Sequence, residues 1–161
     1  MRAMKLSLFS DYSLRTLMYA ALTEDRFQLD AVTAAYGISR NHLAKVVHHL
    51  GKLGYLDTQR GRGGGIRLAR PAEDIRIGKL VRETEQQTVL VECFDAATNT
   101  CPLIGSCRLK GLLAEAVSAF YTSLDRYTLR DLVSGPHRAR MSRALLSGSP
   151  AGAPARKNNE A

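Results

Sequence analysis

The sequence predicts a mainly α-helical protein with one small β-hairpin, and three observations support this fold class. Apolar residues recur at helical spacing through the first 53 residues. A glycine-rich, basic turn then lies between two short strand-like stretches at residues 55–69. A second long run of helical spacing begins at Arg108. The composition, 45% hydrophobic and 24% charged over 161 residues, is that of a globular protein. It contains no run of about 18 apolar residues, so we expect no membrane span.

Three helices are predicted at the start of the chain. Ser10 is the expected cap of the first, which continues to about residue 22. The second covers residues 29–36 and ends at Gly37, which suits the left-handed conformation that commonly follows a helix. Ser39 is the expected cap of the third, which continues to about Leu53.

The second and third helices form a pattern typical of a helix-turn-helix, in which two helices are joined by a short glycine-containing turn. In that motif the first residues of the second helix enter the DNA major groove. An arginine there can pair with guanine and an asparagine with adenine, at ~1–3 kcal/mol for each pair. An ordinary helical hairpin with a solvated start is the alternative at this stage. The residues expected to face the bases are Ser39, Arg40, Asn41, His42 and Lys45.

A basic hairpin after the third helix strengthens the prediction of a DNA-binding protein. Strands are expected at residues 55–58 and 66–69, with a flexible tip at 59–65. A recognition helix followed by such a hairpin is a winged helix, and its glycines allow close approach to a phosphate backbone. A nucleotide-binding P-loop is excluded because no Lys-Ser/Thr pair follows the glycines. The expected phosphate contacts are Arg60, Arg62 and Arg67.

The charge distribution agrees with this assignment. The net charge of +8 divides into +6 for residues 1–70, −2 for 71–132 and +4 for 133–161. A basic N-terminal half is the usual electrostatic signature of a nucleic-acid binder. We therefore expect double-stranded operator DNA as the partner.

All three cysteines of the chain, Cys93, Cys101 and Cys107, fall within 15 residues rich in turn-forming residues. Zinc sites and redox pairs favour closer cysteine spacing, which is absent here. Wide spacing on a loop suits an iron–sulfur cluster, while a redox or disulfide switch and a zinc site remain alternatives. The start of the chain has too short an apolar stretch for a secretory signal, so we expect a reducing cytoplasm.

A further helix is predicted near residues 75–84, and one long helix from Arg108 to about Leu132. At 1.5 Å per residue the long helix would measure ~36 Å. A helix of that length needs a partner, so we predict a homodimer, packing against its own domain being the alternative. Its apolar stripe is near a heptad repeat and consists of Leu109, Leu113, Ala116, Phe120, Leu124 and Tyr127.

The predicted organisation has three parts. Residues 1–75 form a winged helix-turn-helix DNA-binding domain, and 76–133 carry the cysteine loop and the dimerisation helix. Residues 134–161 form a basic tail that we expect to be disordered, above all from about Ser147. The sequence carries no acid–base pair or nucleotide motif, so we do not expect an enzyme.

This order of parts resembles the small iron–sulfur winged-helix regulators of bacteria, the family that includes IscR. The likeness covers residues 4 to about 133 and rests on the cysteine loop, the long helix and three motifs. These motifs are Phe9-Ser10-Asp11-Tyr12 with Leu14-Arg15, the segment 38–43 and the wing 61–68. Within the family, Val91-Glu92-Cys93-Phe94, Cys101-Pro102-Leu103 and Cys107-Arg108-Leu109 are similar to the branch of nitric-oxide-sensing repressors.

The resemblance implies a ligand set. IscR-type regulators carry a histidine three residues after the last cysteine, where this chain has Lys110. The nitric-oxide-sensing branch implies instead an aspartate at the start of the first helix, donated by the partner subunit, and the matching residue is Asp11. The alternative role of Asp11 is a favourable interaction with the helix dipole.

The resemblance also implies a function. We expect a homodimeric repressor that senses nitric oxide through an iron–sulfur cluster, 4Fe–4S or else 2Fe–2S, and that releases its operator when the cluster reacts. A regulator of the same family that responds to cluster supply or to oxidative stress is the alternative.

Overall fold

A computed structural model of the protein describes residues 5–23, 25–85 and 90–147. It confirms the mainly α-helical fold with one β-hairpin. Short 3-10 turns lie at residues 72–74, 92–94 and 135–137. The helices and strands are α1 (Leu8–Leu22), α2 (Leu29–Tyr36), α3 (Arg40–Lys52), β1 (Leu56–Gln59), β2 (Gly65–Leu68), α4 (Ile77–Thr84), α5 (Arg108–Leu124), α6 (Leu129–Val133) and α7 (Arg138–Leu146).

The start of α1 differs from the prediction. Ser7 is the cap, and its hydroxyl accepts a hydrogen bond from the Ser10 N–H at 3.1 Å. Ser10 lies inside the helix and is fully buried, and its hydroxyl donates to Thr84 Oγ1 at 2.8 Å. The prediction of Ser10 as the cap was therefore wrong, because the helix begins one turn earlier and Ser10 packs against α4.

The turn between α2 and α3 confirms the predicted helix-turn-helix. Gly37 follows α2 with a φ of 64°, and its N–H donates to the Thr33 carbonyl at 2.9 Å. Ser39 caps α3 by accepting a hydrogen bond from the His42 N–H at 3.4 Å. Local capping chemistry thus sets the entry into the third helix.

The two strands of the hairpin pair antiparallel, with Leu56 opposite Leu68 and Gln59 opposite Gly65. Phe27 forms an isolated antiparallel bridge with Ile66 by exchanging two hydrogen bonds with it, at 2.8 and 3.0 Å. Gly65 has a φ of 149°, and a side chain there would lie 2.9 Å from the Phe27 carbonyl oxygen. Glycine is therefore required where the hairpin crosses the segment before α2.

The hydrophobic core lies mainly between α1, α3, the hairpin and α4. Buried apolar side chains come from each of these elements, and α6 adds Leu129. Within residues 5–23, 25–85 and 90–147, no helix is long and apolar enough to cross a membrane. The core residues of largest volume are Tyr55, Leu17, Leu43, Leu50, Ile75, Leu80 and Leu129.

The long helix is shorter than predicted. α5 ends at Leu124, and α6 begins at Leu129 after a capping box formed by Thr128 and Asp131. Asp125 lies in the intervening turn and accepts two hydrogen bonds from the Arg82 guanidinium, at 3.0 and 2.5 Å. These contacts end α5 and fold α6 back onto α1.

The expectation of a disordered tail was wrong for residues 138–146, which form α7. This helix contacts α1 and α2, and Leu145 packs against the main core. Apolar residues at positions 141 and 145 give the short segment a face to bury. The tail from residue 148 onward lies outside the described residues.

Candidate nucleic-acid interface and cysteine loop

One face of α3 is buried and the opposite face is exposed. Leu43, Val46 and Leu50 are at most 1% exposed. The structure places all five of the predicted base-facing residues, 39–42 and 45, on the exposed side. His48 and Lys52 are exposed as well. They follow Asn41 and Lys45 at helical spacing, so the periodicity of the exposed face was a signal for them that the prediction missed.

Three of the predicted base-facing residues already have partners. Arg40 Nε lies 2.9 Å from Asp30 Oδ1 of α2, in an ion pair whose side chains are both more than half exposed. His42 Nδ1 lies 2.9 Å from the Ser39 hydroxyl, and its ring lies 6.2 Å from the ring of Tyr12. Asp30 therefore holds the Arg40 guanidinium at the start of α3, and contact with DNA must replace this surface ion pair.

The wing divides its three arginines into two kinds. Arg60 and Arg62 lie exposed at the tip, and neither has an ion-pair partner in the described part of the chain. Arg67 Nε, in β2, lies 3.0 Å from Asp57 Oδ2. Asp57 also accepts a hydrogen bond from Arg26 at 2.7 Å. The two tip arginines therefore carry the positive charge that is free for phosphate.

The paired arginines change the acidity of Asp57. Hydrogen bonds from Arg26 and Arg67 hold the pKa of this carboxyl below its usual value. Through these hydrogen bonds the Asp57 carboxylate ties β1 both to β2 and to the segment before α2.

Arg70 fixes the wing relative to α3. Its guanidinium donates to the carbonyls of Gly54 and Leu53, at 2.9 and 3.0 Å, and lies 4.7 Å from the centre of the Tyr55 ring. The Tyr55 hydroxyl in turn donates to Glu83 of α4 at 2.5 Å. Burial and this hydrogen bond raise the pKa of Tyr55 above its usual value. The recognition helix, the wing and α4 are thereby joined as one unit.

The cysteine loop is held by local turns rather than by a core. Glu92 accepts hydrogen bonds from the Thr100 N–H and hydroxyl, at 2.5 and 2.7 Å. Asp95 accepts from the Ala97 N–H and the Thr98 hydroxyl, both at 2.9 Å. These bonds lower the pKa of both carboxyls. No residue from 90 to 128 is buried, so the loop depends mainly on such surface turns for its shape.

The three thiols are free and half-buried. Cys107 is the N-cap of α5, where backbone N–H groups lack partners within the helix and favour an anion. Within the described residues, no three His, Cys, Asp or Glu side chains come close enough together to hold a metal ion. The donor set fits an iron–sulfur cluster in chemistry, with three half-buried thiols on one loop.

Asp11 lies in the first turn of α1 with its side chain 34% exposed. Arg15 engages both of its oxygens, with Nε and Nη2 each 3.0 Å away. Asp11 therefore offers an accessible carboxylate whose present partner is a surface arginine.

The predicted apolar stripe of α5 divides in two. Phe120 and Leu124 pack against the core of their own chain, and Leu113 is half-buried. Leu109 is 59% exposed, and Ala116 is exposed on the same face. Tyr127 lies beyond the end of the helix, so its predicted place on a continuous stripe was wrong. Leu112, which the prediction omitted, is 53% exposed and extends the face of Leu109.

A mainly apolar groove of about 490 Å³ lies between α5, α4 and the start of α1. Beside it, two hydrogen bonds join α1 to the end of α4. The Ser7 N–H donates to Glu85 Oε1 at 2.6 Å, and Ser10 binds Thr84 as described above. The groove is lined by Leu6, Leu14, Ile77, Val81, Phe94 and Val117, among others.

The helix-turn-helix, the basic wing and the exposed face of α3 define a winged-helix DNA-binding protein. Residues 6–135 match the Rrf2 family, described as iron-dependent transcriptional regulators. The chain therefore belongs to the Rrf2 family of transcriptional regulators.

Curated relatives carry a consistent name. A protein of Shouchella clausii named HTH-type transcriptional regulator NsrR is 51% identical over 133 residues, covering 81% of this chain and 89% of that protein. The Bacillus subtilis protein of the same name is 50% identical over 132 residues, covering 81% and 90%. The chain is accordingly similar to NsrR regulators along most of its length.

Solved structures support the fold. CymR, the global cysteine regulator of Bacillus subtilis, superposes with a TM-score of 0.65 at 24% identity, over 81% of this chain and 96% of that chain. IscR of T. potens gives a TM-score of 0.67 at 22% identity, over 86% and 93%. At these identities the likeness concerns the winged-helix architecture.

Proposed function

We propose that this regulator is a homodimeric repressor that senses nitric oxide through an iron–sulfur cluster bound by Cys93, Cys101 and Cys107. One observation carries the proposal. All three cysteines are free and accessible in a region without buried residues, and this region is joined to a complete winged helix.

Operator recognition is assigned to the exposed start of α3 and to the wing. Arg40 and Asn41 have the chemistry to pair with guanine and adenine. The same exposed side carries Ser39, His42 and Lys45. At the tip of the wing, Arg60 and Arg62 are the expected phosphate contacts. Arg67 contributes less than the tip arginines, because Asp57 already holds its guanidinium.

The cysteine loop is assigned to the cluster, 4Fe–4S or 2Fe–2S, with Asp11 of the partner subunit as the fourth ligand. When bound, the cluster supplies iron that reacts with nitric oxide. To serve as a ligand, the Asp11 carboxylate must leave Arg15, with which it forms a half-exposed ion pair. The exchange therefore breaks the contacts of both carboxylate oxygens with the Arg15 guanidinium.

The path from the loop to DNA runs through α1. Ser7 and Ser10 tie the start of α1 to Glu85 and Thr84, directly before the cysteine region. The same helix contacts α3 through ring pairs, Phe9 with His49 and Tyr12 with His42. A shift of residues 90–107 therefore moves α1, and α1 moves the recognition helix.

The dimer is assigned to the exposed apolar face of α5. None of the 17 residues of α5 is buried, and the helix packs on its own chain through its C-terminal half, at Phe120 and Leu124. Leu109 and Leu112, both more than half exposed, are the expected centre of the contact with the partner copy.

Anaerobic purification followed by titration with nitric oxide tests the proposal. We expect a coloured protein with iron and sulfide, whose visible absorbance near 400 nm changes together with its release of operator DNA. Replacement of Cys101 by Ser is expected to abolish the colour and the response, whereas Ser106→Ala on the same loop leaves both intact. A colourless, zinc-loaded dimer from the parent chain would contradict the cluster assignment.

A thiol-redox regulator of the same family is the second candidate, because the three thiols are free and half-buried. It predicts a protein without iron whose operator binding responds to peroxide and is restored by a dithiol reductant. The iron and sulfide analysis distinguishes the two candidates.

A further inference from the structure

α7 places basic side chains on the winged-helix part of the molecule. Its inward face, with Met141 and Leu145 half-buried, packs against α1 and α2. Its outward face exposes Arg140 and Arg143. The helix begins at Arg138, beyond the residues 6–135 that match the family.

The charged side chains of this segment are all positive. Residues 134–147 contain three arginines and no acidic residue. Arg140 Nη2 lies 3.2 Å from His137 Nδ1, and Arg143 has no acidic partner in the described residues. The two outward guanidiniums are thus available to an anionic partner.

α7 lies beside the helix-turn-helix. It contacts α2, the first helix of that motif, and also α1. Only residues 37–39 separate α2 from α3. In helix-turn-helix proteins the first helix crosses the DNA backbone, so a basic helix packed against α2 is close to where phosphates are expected.

We propose that Arg140 and Arg143 of α7 form an additional, sequence-independent contact with the DNA phosphate backbone. The proposal rests on DNA binding by the winged helix and extends its footprint beyond α3 and the wing. DNA is favoured over an anionic membrane because the apolar face of α7 is occupied by its own domain. A helix that binds a lipid surface needs that face free for insertion.

The test compares two double variants of the full-length protein. Arg140→Gln with Arg143→Gln removes the proposed contact while keeping good helix-forming residues. The matched control, Lys79→Gln with Arg126→Gln, removes the same charge from exposed positions in the α4–α5 part of the chain. Thermal unfolding verifies that both variants fold, and fluorescence anisotropy measures binding to a labelled random-sequence duplex at several salt concentrations.

The slope of log affinity against log salt is negative, and we expect it to be about 1.8 less steep in the α7 variant, since each phosphate contact contributes about 0.9. The ratio of parent to variant affinity then falls about 12-fold between about 50 and 200 mM salt. The control is expected to retain the parent slope.

Three results would overturn the inference. If the α7 variant keeps the slope of the parent, α7 does not contact DNA, although the parent protein still binds it. An equal fall for both variants shows a general charge effect. Binding to phosphatidylglycerol vesicles that depends on Arg140 and Arg143, with an unchanged duplex slope, assigns α7 to a membrane. A parent chain that binds no duplex would contradict the proposed function as well.

Discussion

The winged-helix region, residues 5–85, and the cysteine-loop region, residues 90–128, differ in how they are held together. The first contains nearly all of the large, fully buried side chains, and Leu129 of α6 is the exception. The second contains no buried residue and exposes Leu103, Ile104, Leu109 and Leu112. A single chain therefore completes the DNA-binding region, whereas the cysteine-loop region lacks a core of its own.

This difference indicates where each function resides. A winged helix whose elements are joined by hydrogen bonds and ion pairs presents Arg40 and the wing at fixed positions, as base recognition requires. A region with few buried contacts opens at low free-energy cost, and clustered exposed leucines mark a contact surface. The cysteine-loop region is thus suited to be completed by a partner subunit and a cofactor, and to change when either is altered.

The largest expected effect comes from the exposed face of α5. Leu109→Asp with Leu112→Asp is expected to give a folded monomer, because both side chains lie outside the core. Operator affinity should fall by about 10²–10⁴-fold, since the two DNA-binding regions are no longer linked. Sedimentation and operator titration measure the two effects.

The matched control is Ser118→Asp with Thr122→Asp, which adds the same charge to an exposed polar stripe of α5. It should remain dimeric. If the variant at Leu109 and Leu112 is still a dimer, this face of α5 is not the dimer interface.

A smaller effect is expected within the DNA-binding region. Arg40→Ala should relax base preference at one operator position, at a cost of ~1–3 kcal/mol. Arg62→Ala should weaken binding evenly across sequences and lower the salt slope by about 0.9. Competition between operator variants, measured at several salt concentrations, separates the two. If both variants show the same base preference and the same salt dependence, α3 and the wing do not separate base recognition from phosphate contact.

The smallest effect concerns pH. Arg26 and Arg67 lower the pKa of Asp57 in the folded chain. The ionised Asp57 carboxylate therefore stabilises the fold at pH values above the pKa of an aspartate in the unfolded chain, near 3.9. That contribution is lost as pH falls through the lower folded value. Asp57→Asn should therefore flatten the decline of the urea midpoint between neutral pH and about pH 3.

Asp95 provides the comparison with the other region. Its pKa is also lowered, by hydrogen bonds from Ala97 and Thr98, but it lies in the cysteine loop, which lacks a core. Asp95→Asn should leave the urea midpoint of the winged helix nearly unchanged. An effect as large as that of Asp57→Asn would show that the loop and the winged helix unfold together.

Local sequence signals predicted the DNA-binding half well. Gly37 and Ser39 specify a turn and a cap through their own backbone and side-chain chemistry, so the start of α3 follows from a few residues. The break after Leu124 was not predictable in that way. Apolar spacing continues to Tyr127, whereas the helix ends where Asp125 binds Arg82 of α4, which is distant along the chain.

The candidate site shows the same limit. The sequence indicates that three cysteines share one loop, and it indicates basic residues on α3 and the wing. It does not show that Asp30 holds Arg40, that Asp57 holds Arg67, or that α7 packs on α2. Each of these contacts joins segments that are separated along the chain, and such pairings depend on the folded arrangement.

Hydrogen–deuterium exchange on the anaerobically purified protein, before and after nitric oxide, tests the central contrast most directly. We expect residues 90–124 to lose protection on exposure to nitric oxide, while α3 and the hairpin keep theirs. Loss of protection across α3 and the hairpin, with residues 90–124 unchanged, would contradict it.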